Sequence, residues 1–435
     1  GVSPIATLED GAIAVGRRKV GRGATFFVGP HVGQSIATMC LGRSVECDGI
    51  GPADGSARLD DGILRAEDGL SLPFEDRTSI EGSPPFFGIA YADVLREILI
   101  RAIVEAAQSA GTQPVLTWHW PRNLDATALL TIECESYETG PVQKMHRLLS
   151  MYGGRAAWLV APPGYPLDVY RALRSWEHEI GMAFSSDQTP WHEDKIKIQH
   201  VALSRSASVP SLLAVRPSAG AWRGYASFYE LAERAGSRLS VSKGGRQAGT
   251  AGFLFGTCHP FFPTRRDGAA HLISEQPYTV FMPGQVTPEA VSIAILEHTL
   301  ARAGCLHVAL TPEALSNSDG FSALKRLLSE CRQHRAEFLL PEEIYKFERA
   351  RRSVRIIART IGEEGQIHVA SDSRMEGLTV MFGGPAVHAS VNGLATRCRP
   401  VERYGATFQT IVMDVESKLT GEIHLKPDRL TLQAA

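Results

Sequence analysis

The sequence predicts an α/β fold in which a central (β/α) barrel, closed or nearly closed, is followed by an all-β domain. Between residues 123 and 352 the chain alternates short apolar strands with amphipathic helices, as expected of parallel βα units. After residue 352, apolar and polar residues alternate in short runs without a helical period. With 435 residues the chain is also longer than a single hydrophobic core usually supports, so several domains are expected.

The central segment contains the elements of a parallel sheet in regular alternation. The predicted strands are Ala128–Glu133, Ala156–Val160, Ser211–Arg216 and Cys305–Leu310. Helices are predicted between and after them, namely one that begins at Pro141 and is stopped by Gly153, then Pro166–His178, Tyr225–Ala235, Thr287–Arg302 and Phe321–His334. We therefore assign residues 123–352 to the barrel.

The two flanking segments have different patterns. Residues 1–122 contain short strands, a loop-rich stretch and one amphipathic helix at Ile89–Ala110, which predicts a small α/β domain. This part loosely resembles a portion of a glutamine-amidotransferase-like domain. Residues 353–435 predict a β-sandwich, with strands at Val354–Ala358, Leu378–Phe382, Thr407–Met413 and Glu422–Leu425.

Composition and charge narrow the classes of function. The chain is 44% hydrophobic and 21% charged with a net charge of -2, which gives no indication of a nucleic-acid partner. No apolar run approaches the roughly 18 residues of a membrane helix. The seven cysteines are widely spaced without a CxxC pair, so we expect reduced thiols in the core and favour a cytoplasmic location. No glycine-rich nucleotide loop or Gly-x-Ser-x-Gly elbow occurs.

The end of the first barrel strand carries the first candidate site residues. Glu133 and Glu135 are two carboxylates one residue apart, so they point to the same side of the strand and could share a cation or divide acid and base roles. Active sites of βα barrels gather at this carboxyl end of the strands. The alternative is a pair of solvated loop glutamates.

Several segments occur in an order that resembles the polysaccharide deacetylases. They are Thr131-Ile132-Glu133-Cys134-Glu135, Gly154-Arg155-Ala156-Ala157-Trp158-Leu159-Val160, His178-Glu179-Ile180-Gly181, Arg216-Pro217 with Gly220, Gly304-Cys305-Leu306-His307-Val308, and Leu339-Leu340-Pro341-Glu342-Glu343-Ile344. The similarity covers about half of the chain. It implies the distorted (β/α) barrel of that family, with a carbohydrate as the partner.

The resemblance also implies roles for individual residues. Glu133 would be the catalytic base, Arg216 would orient it, and His307 would be the general acid. A buried structural histidine is the alternative for His307. Where the family has its two metal histidines, this sequence has Ala183 and Asp187, so the usual zinc site is not expected. A divalent cation held by Glu135 and Asp187 remains an open alternative.

Aromatic residues in the barrel loops suggest where a sugar could bind. Trp191, Trp222, Tyr225 and Phe261, together with His259, are the candidate substrate-binding residues, since pyranose rings stack on aromatic faces. Ordinary core packing is the alternative for each of them.

Two functions follow from these observations. The first is a carbohydrate-active hydrolase that removes acetyl groups from N- or O-acetylated sugars, with an altered or absent metal site. The second is a catalytically silent carbohydrate-binding or scaffold protein on the same barrel. The missing metal histidines leave both open, because a fold alone does not establish an activity.

Overall fold

The computed structural model describes residues 2–21, 23–135, 137–185, 191–265, 267–361, 364–384 and 387–427. The helices are α1 Val32–Leu41, α2 Tyr91–Ser109, α3 Gly140–Met151, α4 Leu167–Ser175, α5 Glu193–Ala207, α6 Ser227–Ala235, α7 Glu289–Ala301, α8 Ser318–Gln333 and α9 Pro341–Arg352. Among the described helices, none is long and apolar enough to cross a membrane.

The strands fall into one parallel sheet and three antiparallel sheets. They are β1 Ser3–Thr7, β2 Ile13–Val20, β3 Gly23–Val28, β4 Val115–Thr117, β5 Thr127–Cys134, β6 Ala157–Val160, β7 Glu179–Phe184, β8 Ala214–Pro217, β9 Leu239–Ser240, β10 Ser274–Glu275, β11 Val280–Phe281, β12 Cys305–Leu310, β13 Glu337–Phe338, β14 Arg355–Ile361, β15 Glu364–Ala370, β16 Met375–Gly383, β17 Val387–Val391, β18 Leu394–Thr396, β19 Arg399–Arg403, β20 Ala406–Val415 and β21 Thr420–Pro427.

The parallel sheet confirms the predicted βα architecture. Its strands follow the order β10-β9-β8-β7-β6-β5-β12-β11, with β13 also paired to β5. Helices α3, α4, α5 and α6 follow β5, β6, β7 and β8 in turn. The unit formed by β7 and α5 was not among the elements predicted from the sequence. Within the described residues the two end strands, β10 and β11, are not paired with each other. The sheet is thus the distorted, incompletely closed barrel that the sequence predicts.

The central strand β5 separates the two faces of the sheet. Ala128, Leu130 and Ile132 join the hydrophobic core that also contains Met145 and Leu149 of α3. Because side chains alternate along a strand, Leu129, Thr131 and Glu133 point to the opposite face, inside the barrel. All eight residues of β5 are buried, so polar groups on the inner face need partners within the protein.

Residues 36–93 and 125–345 form one compact unit, in which the early segment packs against the barrel loops. Val45 and Gly224 exchange backbone hydrogen bonds of 3.0 and 2.8 Å, and the N–H of Trp222 donates to the carbonyl of Leu64 at 2.8 Å. This division of the chain crosses the predicted boundary at residue 122. The predicted boundaries at 122 and 352 remain a prediction about which parts fold independently.

Residues 1–35, 94–124 and 346–435 form the second unit. It contains two antiparallel sheets, β14-β15-β21-β17-β18 and β19-β20-β16-β4, together with the three-stranded sheet β1-β2-β3. Side chains from both larger sheets, including Val369, Ile423, Leu378 and Ile411, share one hydrophobic core. This is the predicted β-sandwich. Its strand β4, at residues 115–117, precedes the barrel in the sequence and pairs with β16.

None of the seven cysteines forms a disulfide in the described part of the chain. Five of the seven are buried, whereas Cys47 is exposed and Cys398 is partly exposed. Burial raises the pKa of the Cys305 and Cys331 thiols to about 12, so both stay protonated at neutral pH.

Candidate functional site

Glu133 lies at the carboxyl end of β5 with only 2% of its surface exposed. Its Oε1 accepts a hydrogen bond of 2.8 Å from the backbone N–H of Ala219. Its Oε2 accepts one of 3.0 Å from Nη1 of Arg246, and Nη1 of Arg216 lies 3.6 Å from the same oxygen. Both carboxylate oxygens therefore have partners within the protein.

The charges around Glu133 keep it ionised. Burial on its own would raise the pKa of this carboxyl, but the Arg246 and Arg216 guanidinium groups outweigh it and place the pKa below its ordinary value. A carboxylate with a lowered pKa and two cationic partners is a weak base. The surroundings of Glu133 stabilise its charge rather than its ability to accept a proton.

Arg216 is held in the barrel interior with none of its side chain exposed. Its Nε donates to the carbonyl of Val241 at 2.7 Å, and its Nη2 donates to Oγ1 of Thr131 at 3.1 Å. The guanidinium also lies over the ring of Tyr278, 4.8 Å from the centroid. The side chain is thus fixed beside Glu133.

His307 continues the same hydrogen-bond chain. Its Nε2 lies 3.0 Å from Oγ1 of Thr131, and its Nδ1 lies 3.0 Å from the carbonyl of Gln276. Since a carbonyl only accepts, Nδ1 carries the proton and donates to Gln276, while Nε2 accepts from the Thr131 hydroxyl. Thr131 in turn accepts from Arg216, so every bond in the chain has a consistent direction.

The environment of His307 opposes its predicted role as a general acid. Burial, with a further contribution from the charge of Arg216, lowers the pKa of His307 to about 3. The imidazole is therefore neutral near pH 7, and its side chain is fully buried. The structure places His307 inside the barrel as a hydrogen-bonding partner of Thr131, and its role as a general acid stays a prediction.

Arg246 is the main site residue that the sequence analysis missed. Its backbone N–H donates to Oε2 of Glu67 at 3.0 Å, and its guanidinium lies 4.4 Å from the centroid of the Phe281 ring. The preceding Gly245 packs so closely that a Cβ would lie 2.0 Å from the carbonyl oxygen of Thr250. The pair Gly244-Gly245 lets the backbone approach Thr250 closely, and Arg246, which follows it, reaches Glu133.

Within the described residues, the positions considered for a cation do not form a metal site of the family type. Ala183 is fully buried, pairs in register with Arg216 and has no ligand atom. Asp187 lies outside the described residues. Glu135 is exposed by surface area. The protein around its carboxyl still removes part of the hydration, and this loss together with the charge of Glu133 raises the pKa of Glu135. With Glu133 engaged by two arginines, the described residues at this end of the barrel do not fit a divalent cation.

The candidate sugar-binding residues separate into buried and accessible groups. Trp222 is only 1% exposed and packs against Trp191 and Tyr229, so its ring face belongs to the core. His259 is 3% exposed and is also enclosed. These two predictions are corrected because close packing leaves no ring face on which a sugar could stack. Trp191, Tyr225 and Phe261 are partly exposed and packed on the core, as required of a stacking surface.

Comparison with known proteins gives similarity of structure only. No protein-family model and no curated protein matches the chain. A Mycobacterium smegmatis protein assigned to the polysaccharide deacetylases matches 54% of this chain and 94% of its own length, with 13% identity and a TM-score of 0.42. The Puue allantoinase matches 52% of this chain and 91% of its own length, with 13% identity and a TM-score of 0.40.

A CE4 family pseudoenzyme from Bacillus anthracis matches 52% of this chain and 66% of its own length, with 11% identity and a TM-score of 0.32. All three matches have low sequence identity to this chain. In solved structures, as in its sequence motifs, the chain is similar to polysaccharide deacetylases and divergent from them.

Proposed function

We propose that this protein binds carbohydrate through a deacetylase-like barrel and does not remove acetyl groups. The observation that carries the proposal is the state of Glu133, whose two oxygens are occupied by Arg246, Arg216 and the Ala219 N–H. A general base must be free to take a proton from a water molecule. Here two guanidinium groups occupy the space and lower the basicity of the carboxylate.

The other members of the predicted catalytic set support the same conclusion. His307 is neutral and fully buried, so it is a poor donor to a leaving group at neutral pH. Arg216 is fully buried and satisfies Thr131 and Val241. Together these residues form a buried hydrogen-bond network that supports the barrel. In this proposal, the positions that carry chemistry in the family motifs have a structural role here.

The carbohydrate part of the proposal rests on the loops at the carboxyl ends of the strands. Trp191 follows β7 and Tyr225 follows β8, whereas Phe261 lies close to Cys258 in the connection between β9 and β10 and is not part of these loops. Each ring is partly exposed and is held by the core behind it. An aromatic ring that is already fixed loses little conformational entropy when a pyranose stacks on it.

Binding and turnover can be measured with the same ligand. We expect a pentamer of N-acetylglucosamine to bind the full chain in isothermal titration calorimetry and to release no acetate on prolonged incubation. Trp191→Ala should weaken binding by about tenfold or more, the equivalent of roughly 1.4 kcal/mol. Trp176→Ala is the matched control, because Trp176 is also partly exposed but stacks on His146 just before β7, at the opposite end of the strands.

Two outcomes would contradict the proposal. If neither the pentamer nor O-acetylated xylan oligosaccharides bind, the carbohydrate assignment is wrong. Release of acetate by the parent protein would instead favour the hydrolase, for which Glu135 is the specific candidate. Its raised pKa and exposure suit a proton donor, so acetate release should then be lost in Glu135→Gln.

A further inference from the structure

We propose that Asp93, Cys258 and His259 form a zinc site at the end of the barrel away from Glu133. One ligand atom from each of the three residues lies within 4.8 Å of the others. The three side chains are 4%, 0% and 3% exposed, respectively. A buried group of one carboxylate, one thiol and one imidazole is a typical set of zinc ligands, unlike an exposed cluster of acidic residues.

The position of the cluster in the fold is defined by its hydrogen bonds to the barrel. Asp93 lies in the first turn of α2, and the other two residues lie in the connection from β9 to β10. The carbonyl of Cys258 accepts a hydrogen bond of 2.9 Å from the N–H of Cys305, the first residue of β12. The cluster is therefore at the amino end of β12, whereas Glu133 is near the carboxyl end of β5. Residues at this end of such barrels usually serve stability.

The thiol and the carboxylate are already in contact. The Cys258 thiol donates to Oδ2 of Asp93 at 3.3 Å. The same oxygen accepts a hydrogen bond of 2.9 Å from the backbone N–H of Cys258. Oδ1 of Asp93 accepts from the hydroxyl of Thr257 at 2.7 Å. On binding, zinc would take the place of the thiol proton: the S–H bond breaks, a Zn–S bond forms, and the proton leaves to solvent.

The imidazole of His259 is oriented as metal-binding histidines usually are. Its Nε2 lies 3.1 Å from the carbonyl of Arg302. Because a carbonyl only accepts, the ring proton is on Nε2 and Nδ1 carries the lone pair. A backbone carbonyl on the far nitrogen is a common outer partner that fixes the tautomer of a metal ligand. The backbone N–H of His259 donates to Thr257 Oγ1 at 3.0 Å, which also fixes the loop.

The donor set selects the kind of ion. A thiolate and an imidazole favour zinc over magnesium or calcium, which prefer oxygen ligands. The charges of a thiolate and a carboxylate balance those of Zn²⁺, so the loaded site is neutral, as a buried site should be. Three protein ligands leave a fourth tetrahedral position for a water molecule. The ion would join the first turn of α2, through Asp93, to the β9–β10 connection, through Cys258 and His259.

Cobalt provides a direct spectroscopic test with the full chain. After removal of metal by dialysis against a chelator, we expect one equivalent of Co²⁺ to bind and to give a thiolate-to-cobalt charge-transfer band in the near ultraviolet. Zinc should displace the cobalt and remove the band. X-ray absorption at the zinc edge should show one sulfur ligand with the remaining ligands nitrogen or oxygen, and zinc should raise the melting temperature.

Variants assign the signal to the cluster. Cys258→Ser should abolish the charge-transfer band, and the loss of a ligand should weaken binding by more than the roughly 10- to 100-fold caused by loss of an outer partner. Cys47→Ser, which removes an exposed thiol, should leave the band unchanged. Glu135→Gln should also leave it unchanged, which separates this site from the other end of the barrel.

Three results would overturn the proposal. They are no cobalt binding by the parent protein, an absorption spectrum without sulfur ligation, and a charge-transfer band that persists in Cys258→Ser. The first two need only the parent protein, so the test stands even where a substitution in this buried cluster prevents folding.

Discussion

Nη1 of Arg246 lies 3.0 Å from Oε2 of Glu133, which joins a loop arginine to the inner face of strand β5. The pair is largely withdrawn from solvent, since the side chains are 16% and 2% exposed. A buried carboxylate of this kind depends on its cationic partners, and they depend on it. The predictions below test this mutual dependence and its consequences.

Replacing Glu133 with glutamine should destabilise the protein strongly. The change keeps the shape of the side chain but leaves the charges of Arg216 and Arg246 without their buried carboxylate. Loss of one partner of a buried ion pair typically costs about 3–5 kcal/mol. Urea unfolding at pH 7 measures the loss, and Glu135→Gln, at an exposed position two residues away, should change the unfolding free energy by less than about 0.5 kcal/mol. Equal effects of the two substitutions would contradict the network.

Stability should fall as the pH is lowered from 6.5, in part because of His307. Its pKa is about 3 in the folded protein and about 6.5 in the unfolded chain, so the unfolded state binds one more proton between these values. The contribution of this histidine is complete above pH 6.5 and decreases by about 1.4 kcal/mol per pH unit below it.

The same reasoning gives a variant that tests the role of His307. His307→Gln should reduce the pH slope of the unfolding free energy between pH 6 and 4 by about one proton. Some slope should remain because the pKa of His178 is also lowered by burial, to about 4. An unchanged slope in His307→Gln would mean that this imidazole is protonated in the folded state.

Arg246→Ala should destabilise less than Glu133→Gln, because Arg216 remains beside the carboxylate. Loss of a hydrogen bond to a charged group costs about 1.5–3 kcal/mol. Arg246→Lys should recover part of this unfolding free energy, because lysine keeps the positive charge but lacks the planar guanidinium. Arg58→Ala is the control, because the Arg58–Asp60 pair is exposed and contributes little. Urea unfolding at pH 7 gives the unfolding free energy of each of the three variants. If Arg58→Ala were the least stable of them, Arg246 would not be the stabilising partner of Glu133.

The two tryptophans at the carboxyl end of the barrel should behave differently. Trp222→Ala should cost about 3–5 kcal/mol, because this indole is fully buried and packs on Lys243 as well as on aromatic rings. Trp191→Ala should lower the unfolding free energy by less than half as much. Thermal and urea unfolding of both variants decide whether Trp222 is a core residue, and a small loss for Trp222→Ala would return it to the candidate sugar-binding surface.

The barrel was predictable because its signals are local. The buried-strand pattern of Ala128–Glu133 and the helix that follows it define a βα unit, and Glu133 lies near the carboxyl end of β5. The order of Arg216 and His307 along the chain also placed both on the inner face beside Thr131. What these residues do there depends on burial, which short-range patterns do not reveal. Their metal and catalytic roles therefore remain predictions.

The contacts that the sequence did not reveal are distant in the chain. Glu67, in a loop-rich segment, accepts a hydrogen bond from the backbone of Arg246, and the two residues are 179 positions apart. Neither lies in a periodic element, so hydrophobic patterns give no indication that they meet. Trp222 was assigned to a cleft for a similar reason, since an aromatic residue in a loop looks the same whether it is buried or accessible.

The pairing of β4 with β16 has a consequence for how the protein is made. Thr117 pairs with Val380, and the whole barrel sequence lies between them, so the ribosome synthesises the barrel before the sandwich can be completed. Strand β4 must wait for its partner while the barrel sequence emerges. A nascent chain that ends within α9 would contain all the barrel strands, but Val115–Thr117 would have no partner strand until β16 is synthesised.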